Sequence, residues 1–115
     1  MSEDCIFCKI IANELPGEIL YRDDRVTAFR DIQPATPVHV LIVPNKHIPS
    51  MNEATSEDEA VLGHMQLVAK KLAIKEGIAE KGYRLITNTG PEGGQVVYHI
   101  HLHLLGGISM AGGLV

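Results

Sequence analysis

In the run "VVYHIHLHLLGG", residues 96–107, histidine returns at every second position of an otherwise apolar stretch. No other feature restricts the fold as tightly. Side chains alternate across a β-strand, so the spacing predicts a strand with His99, His101 and His103 on one face and Ile100, Leu102 and Leu104 on the other. Histidine is polar and titrates near neutral pH, yet three of the chain's six fall within five residues. A zinc site, a polar row without chemistry, and a nucleophile with its supporting shell are all compatible with such a row. Alternate residues on a strand lie about 6.8 Å apart. Two of these imidazoles can therefore converge on one zinc ion, while a third needs help from another element.

The remaining elements read as one α+β domain spanning residues 1–115. "CIFCKIIANEL" sets Ile6, Phe7, Ile10 and Ile11 at helical spacing, and "LPGE" stops that short helix. "EILYRDDRVTAFRDI" predicts two strands about the turn Asp23-Asp24. "VHVLIVP" is β-branched and almost wholly apolar, as a strand covered on both faces requires. Ser56 and Glu59 form a capping box that starts a long helix over residues 56–76, with Val61, Met65, Val68 and Leu72 on its inner stripe. Its acidic first turn and lysine-rich last turn match the helix dipole, and Gly77 is placed to end it. "YRLITN" is a fourth strand, "TGPEGG" a loop, and residues 96–105 the last strand, followed by a glycine-rich tail expected to be mobile. The expectation is a mostly antiparallel five-stranded meander with one long and one short helix.

Composition narrows the partners. A net charge of −4 argues against a nucleic-acid duplex, which needs a basic face, but leaves room for a small anion held by backbone amides. No apolar run approaches the roughly 20 residues of a membrane span. The start "MSEDCIFCK" carries acid where a signal peptide carries base, and the two cysteines fit a reducing compartment, so the expected location is cytoplasmic.

The flanks of the histidine row favour chemistry. "GPEGGQVV" precedes it, and glycines let backbone N–H groups approach an oxyanion closely. A neutral imidazole on a rigid strand beside such a loop suits attack on phosphorus, where the nucleophile must be unprotonated and its neighbours must absorb developing charge. His101, flanked on both sides, is the candidate nucleophile. His39 in "VHVLIVP", behind Pro34 and Pro37, reaches the same face if its strand pairs beside the last one.

These blocks resemble the histidine triad family. "GGQVVYHIHLHLL" is similar to its H-x-H-x-H signature, and "IFCKII", "DDRVTAFRDIQPATPVHVLIVP" and "GYRLITNTG" extend the likeness over nearly the whole chain. The nearest branch is the nucleotide-binding one, purine nucleoside phosphoramidases that act as homodimers. The resemblance implies a hydrolase that releases a nucleoside monophosphate and an amine through a nucleotidyl-histidine on His101, with no cofactor in the reaction. It implies that the His99 carbonyl fixes the His101 tautomer and that His103 and His39 complete the polar shell. It also implies that Asp31 accepts from the ribose hydroxyls and that Ile6, Phe7, Ile10, Phe29, Ile32 and Leu41 line the base pocket. Asn88, Gly94, Gln95, Val96 and the Val97 amide are the implied phosphate contacts. Two departures stand out: Val96 occupies a position where relatives often carry serine, and the tail "GISMAGGLV" lacks the aromatic end some relatives have.

Cys5 and Cys8 are either buried apolar residues one turn apart, a redox pair, or half of a zinc site. Zinc needs four ligands, and some relatives hold it at the positions of Cys5, Cys8, His47 and His99; here such zinc is expected to be structural. His64, off the apolar stripe, is expected to face solvent. Asp23, Asp24 and Arg25 read as turn residues, Ser50 has no base spaced to serve it, and Lys70 and Lys71 read as a solvated helix end. Competing readings are dinucleoside polyphosphate hydrolysis, a nucleotide-binding scaffold with little turnover, and a zinc-dependent structural module.

Overall fold

Strand pairing organises the molecule, a computed structural model in which residues 4–112 are described. Five antiparallel strands, β1 (Ile19–Arg22), β2 (Val26–Arg30), β3 (Val38–Pro44), β4 (Tyr83–Ile86) and β5 (Leu102–Gly106), line up in the order β1-β2-β3-β5-β4. The first three form a meander. The long helix α2 (Glu59–Lys75) then crosses the sheet, and β5 enters between β3 and β4. The short helix α1 (Ile6–Ile11) is capped by Cys5, whose sulfur accepts the Cys8 N–H.

The alternation of β3 sorts two cores. Val40 and Ile42 join Met65, Val68 and Leu72 of α2, while Leu41 and Val43 join Cys5, Phe7, Cys8 and Phe29 on the α1 side. At the β1–β2 turn the Asp23 Oδ1 accepts the N–H groups of Arg25 and Val26, both at 2.8 Å, which closes the turn the sequence predicts. Gly77, at φ +77°, ends α2 in the left-handed conformation that a side chain resists. The tail is described to residue 112, where the Met110 carbonyl accepts from Arg84 at 2.8 Å; its last three residues lie outside the described ones.

Three expectations are corrected. The last strand begins at Leu102, six residues later than the alternation implied. Continuing the register Ile42↔Leu102 would set Ile100 opposite Pro44, which has no N–H to give the ladder. The chain leaves the ladder there, and the Ile100 N–H donates to the Ile48 carbonyl at 2.8 Å. Side-chain alternation survives nonetheless: Ile100, Leu102 and Leu104 enter the α2 core, and the histidines stay opposite.

The capping box belongs to Thr55 and Asp58, not Ser56 and Glu59. Thr55 caps a 3₁₀ turn, Ser56–Asp58, and the Asp58 carboxylate returns to the Thr55 N–H at 3.0 Å, so α2 itself starts at Glu59. The buried Asp58 is also held by Lys46 at 2.8 Å, a tertiary partner that settles which of two overlapping signatures wins.

His64 does not face solvent. Its Nε2 lies 2.6 Å from Asp23 Oδ2, pinning α2 to the β1–β2 turn, and the Tyr21 hydroxyl donates to the same oxygen at 2.7 Å. Burial pushes the Asp23 carboxyl up, but hydrogen bonds from His64, Tyr21 and the two turn amides outweigh it and hold the group well below the usual carboxylate range.

Candidate active site

Hydrogen bonds to fixed backbone groups set the state of each imidazole. The Nδ1 of His101 lies 2.8 Å from the His99 carbonyl, which can only accept, so the proton sits on Nδ1 and Nε2 keeps its lone pair. The N–H of Ala35 donates to His39 Nδ1 at 3.0 Å, which moves the His39 proton to Nε2. That Nε2–H donates to His103 Nδ1 at 2.9 Å and leaves the His103 proton on its own Nε2. Asp31 Oδ2 stands 3.5 Å from His39 Nε2, while its Oδ1 accepts the Gln33 N–H. The outcome is a chain of donors and acceptors running from Ala35 to His103, with the His101 ring 4.9 Å from that of His103. Burial lowers the pKa of His39, His101 and His103, the last to about 4, so all three are neutral at pH 7. Neutral His101 offers a lone pair, and neutral His103 offers an N–H.

The third histidine of the row serves a different cluster. His99 Nε2 donates to the Pro44 carbonyl at 2.8 Å, so its Nδ1 carries the lone pair. That nitrogen lies 3.3 Å from Cys5 Sγ, 3.5 Å from Cys8 Sγ and 3.2 Å from His47 Nδ1. Cys8 Sγ and His47 Nδ1 are 3.3 Å apart, and all four ligand atoms fall within 4.8 Å of one another. A tetrahedron with zinc bonds of about 2.0–2.3 Å has edges of about 3.3–3.8 Å. The two sulfurs and two nitrogens fit it. The pKa of His99 is pushed down to about 4, chiefly by burial, which keeps the ring neutral as a ligand must be.

Asp31, His39 and His103 also bring ligand atoms within 4.8 Å. They do not fit a metal, because the Ala35 N–H claims His39 Nδ1 and keeps a proton on the very nitrogen that would coordinate.

The loop before the row is tied internally. Gln95 is buried, accepts the Gly90 N–H at 3.0 Å, and donates from Nε2 to the carbonyls of Pro49 (2.7 Å) and Val97 (3.1 Å). Its side chain is a brace for the loop. Asn88 donates to the Gly93 carbonyl at 2.8 Å, and the following Gly94, at φ +81°, turns the loop. Val96 is 86% exposed. Of the apolar candidates, Phe7, Phe29 and Leu41 pack together, with Ile10 and Val97 against them, and Phe7 meets His101 edge-on with ring centroids 5.1 Å apart. Ile6 and Ile32 project outward, 51% and 91% exposed. Sequence reasoning missed the Ala35 N–H and the Pro44 carbonyl. Both are backbone groups, and no residue type advertises them.

The HIT domain family model matches residues 12–110. The purine nucleoside phosphoramidase of Escherichia coli (strain K12) is 60% identical over 107 residues, 93% of this chain and 90% of that one. An uncharacterized HIT-like protein of Synechococcus elongatus is 55% identical, over 96% of each chain. Among solved structures, a HIT family hydrolase from Clostridium thermocellum is 50% identical and superposes over the full length of both chains with a TM-score of 0.97. A histidine triad protein from Clostridium difficile is 39% identical, over 99% of each chain, with a TM-score of 0.95. Cys5 and Cys8 precede the span matched by the family model.

Proposed function

This chain belongs to the HIT domain family, and on that premise we propose that it is a purine nucleoside phosphoramidase working through a covalent nucleotidyl-His101. The observation that carries the reading is the His101 tautomer: a buried, neutral ring whose Nδ1–H is spent on the His99 carbonyl and whose Nε2 is a free nucleophile.

In the first step His101 Nε2 bonds to the α-phosphorus and the phosphorus–nitrogen bond breaks. The electron pair leaves with the amine nitrogen, which takes a proton from solvent water. In the second step water attacks the phosphorus, the bond to Nε2 breaks, and the nucleoside monophosphate departs while the water proton returns to solvent. The Gly94 and Gln95 N–H groups are spent inside the loop on the Pro91 and Gly90 carbonyls, whereas the His103 Nε2–H and the amides of Val96 and Val97 are suited to charge that builds on the phosphoryl oxygens. Asn88 joins them if its bond to Gly93 is exchanged for the phosphate. Asp31, with Oδ2 toward His39, supports a contact to the ribose hydroxyls. Phe7, Ile10, Phe29 and Leu41, with Ile6 and Ile32 at the rim, form the apolar receptacle for the purine.

Cys5, Cys8, His47 and His99 would hold a structural zinc ion. Its chemistry is to cross-link the start of α1 to the loop before β5. Homodimerisation is supported by the exposed edge strand β4 and by Leu67 and Ile74, 61% and 60% exposed on α2. Among the described residues no helix is long and apolar enough to cross a membrane, and Cys5 and Cys8 form no disulfide, which fits a reducing, cytoplasmic setting.

Mass spectrometry of enzyme quenched during turnover of adenosine 5′-phosphoramidate tests the mechanism. The expected result is a peptide containing His101 heavier by one adenylyl group. Release of AMP with no such adduct, and undiminished in His101→Ala, overturns the nucleophile.

A further inference from the structure

We propose that Cys5 and Cys8 are a peroxide-sensitive thiol pair whose oxidation to a disulfide opens the cluster with His47 and His99 and, on the phosphoramidase reading, loosens the purine receptacle. They are the chain's two cysteines, and their spacing is that of Cys-x-x-Cys redox pairs. Cys5 Sγ accepts the Cys8 N–H at 3.2 Å, and both sulfurs belong to one group of ligand atoms that all lie within 4.8 Å of one another. The two differ in access. Cys5 lies in the wall of a surface cleft of about 410 Å³, beside His47 and Pro49, whereas Cys8 stands outside that wall and is 2% exposed. A peroxide molecule, little larger than water, therefore meets Cys5 first, with Cys8 close by to complete the bridge.

Peroxide is the one reactant the step needs. Cys5, as thiolate, attacks a peroxide oxygen; the O–O bond breaks, hydroxide leaves, and Cys5 becomes a sulfenic acid. The Cys8 thiolate then attacks the Cys5 sulfur, the S–O bond breaks, and a second hydroxide leaves as the disulfide forms. Two electrons pass from the sulfurs to the peroxide, and each hydroxide takes a proton from solvent to become water. Sulfur binds zinc as thiolate, so the bridged pair holds no ion, and His47 and His99 supply only two of the four ligands a structural site needs. The mechanical effect falls on α1. Its six residues are too few to stand as a helix alone, and the sulfurs fasten its first turn to His99 and His47. Packing of Phe7 on Phe29, with ring centroids 5.4 Å apart, then holds it less firmly. Phe7 and Ile10 wall the purine receptacle, so nucleotide binding weakens. The bond from His101 to the His99 carbonyl spans two residues of one segment, and the chemical step is spared.

The test treats reduced, zinc-loaded protein with hydrogen peroxide. Thiols are followed by alkylation and mass spectrometry, zinc by a chromogenic chelator, and kinetics with adenosine 5′-phosphoramidate. Expected are loss of both alkylatable thiols with a mass lower by two hydrogens, release of zinc in step, and KM raised about threefold or more at a kcat within about twofold. A dithiol with added zinc restores all three. In Cys8→Ser the oxidation stops at a Cys5 sulfenic acid, which a cyclic 1,3-dione traps; in Cys5→Ser, Cys8 resists the same dose. The double variant Cys5→Ser/Cys8→Ser has the raised KM from the outset and gives no response to peroxide. A pair that binds no zinc, thiols that still alkylate after peroxide, or a bridge that forms while zinc and KM stay unchanged each overturns the proposal. Reduced protein that never turns over the phosphoramidate overturns the phosphoramidase reading instead, and the thiol and zinc readouts still judge the pair.

Discussion

Two groups of histidines sit side by side on one face of this sheet, and they are wired in opposite ways. Around His99 the donor atoms converge: each of four residues points one ligand atom at a common centre. Around His101 the groups run in sequence, from the Ala35 amide through His39 to His103, each handing on a hydrogen bond. Residue type does not separate them. The difference lies in which ring nitrogen a neighbouring backbone group claims. The Pro44 carbonyl takes the Nε2–H of His99 and frees Nδ1, whereas the His99 carbonyl takes the Nδ1–H of His101 and frees Nε2. Tautomer, more than proximity, decides whether clustered imidazoles suit a metal or a reaction.

The contrast breaks most visibly at the nucleophile. His101→Ala is expected to lower turnover of adenosine phosphoramidate by about 10³-fold or more while leaving zinc stoichiometry by mass spectrometry unchanged. The reciprocal experiment replaces both Cys5 and Cys8 by serine. Zinc binding is lost, and if the ion is held at about 100 times its Kd the variant forfeits about 2.7 kcal/mol. Melting should then fall by about 10 °C, with turnover reduced by less than about tenfold. Loss of zinc in the first variant, or abolished turnover in the second, would merge the two clusters into one.

A pH profile sharpens the comparison further. Burial holds the His103 pKa near 4 and that of His101 below its ordinary value, so turnover should stay level as pH falls through 6.5 and drop only at more acid values. The same sign governs stability. Neutral buried imidazoles contribute fully above about pH 6.5, and the contribution declines below it as the unfolded chain takes up protons first. A midpoint of turnover at or above 6.5 would mean solvated rings. The smallest effect is expected at a histidine outside both groups. His64→Ala removes one bond to the Asp23 carboxylate and should cost about 1 kcal/mol in a melt, with kcat/KM unaltered.

Faces were legible in the sequence, and ends were not. Period-two alternation depends only on the extended backbone, so it correctly put Ile100, Leu102 and Leu104 in the core and the histidines opposite them. Where the ladder stops depends on what the partner strand can offer, and Pro44 lies 58 residues before Leu102 in the chain. The same reason explains Thr55 and Asp58: two capping signatures overlap in "ATSEDEA", and Lys46, far away in sequence, favours one. His64 looked solvated because its partner Asp23 is contributed by another element. The residue types of the candidate site could be read directly, but the protons on them follow from backbone atoms that only the fold brings near.

The early end of β5 has a consequence for design. Because β5 lies between two neighbours, every carbonyl within the ladder finds an amide on one side or the other. His99 stands beyond that ladder, and its oxygen is at liberty to orient a side chain two residues on. Lengthening β4 beyond Ile86, on the side that the His99 carbonyl faces, would give a more regular protein and rob His101 of the acceptor that keeps its far nitrogen bare. Reactivity in this protein begins where regularity gives out.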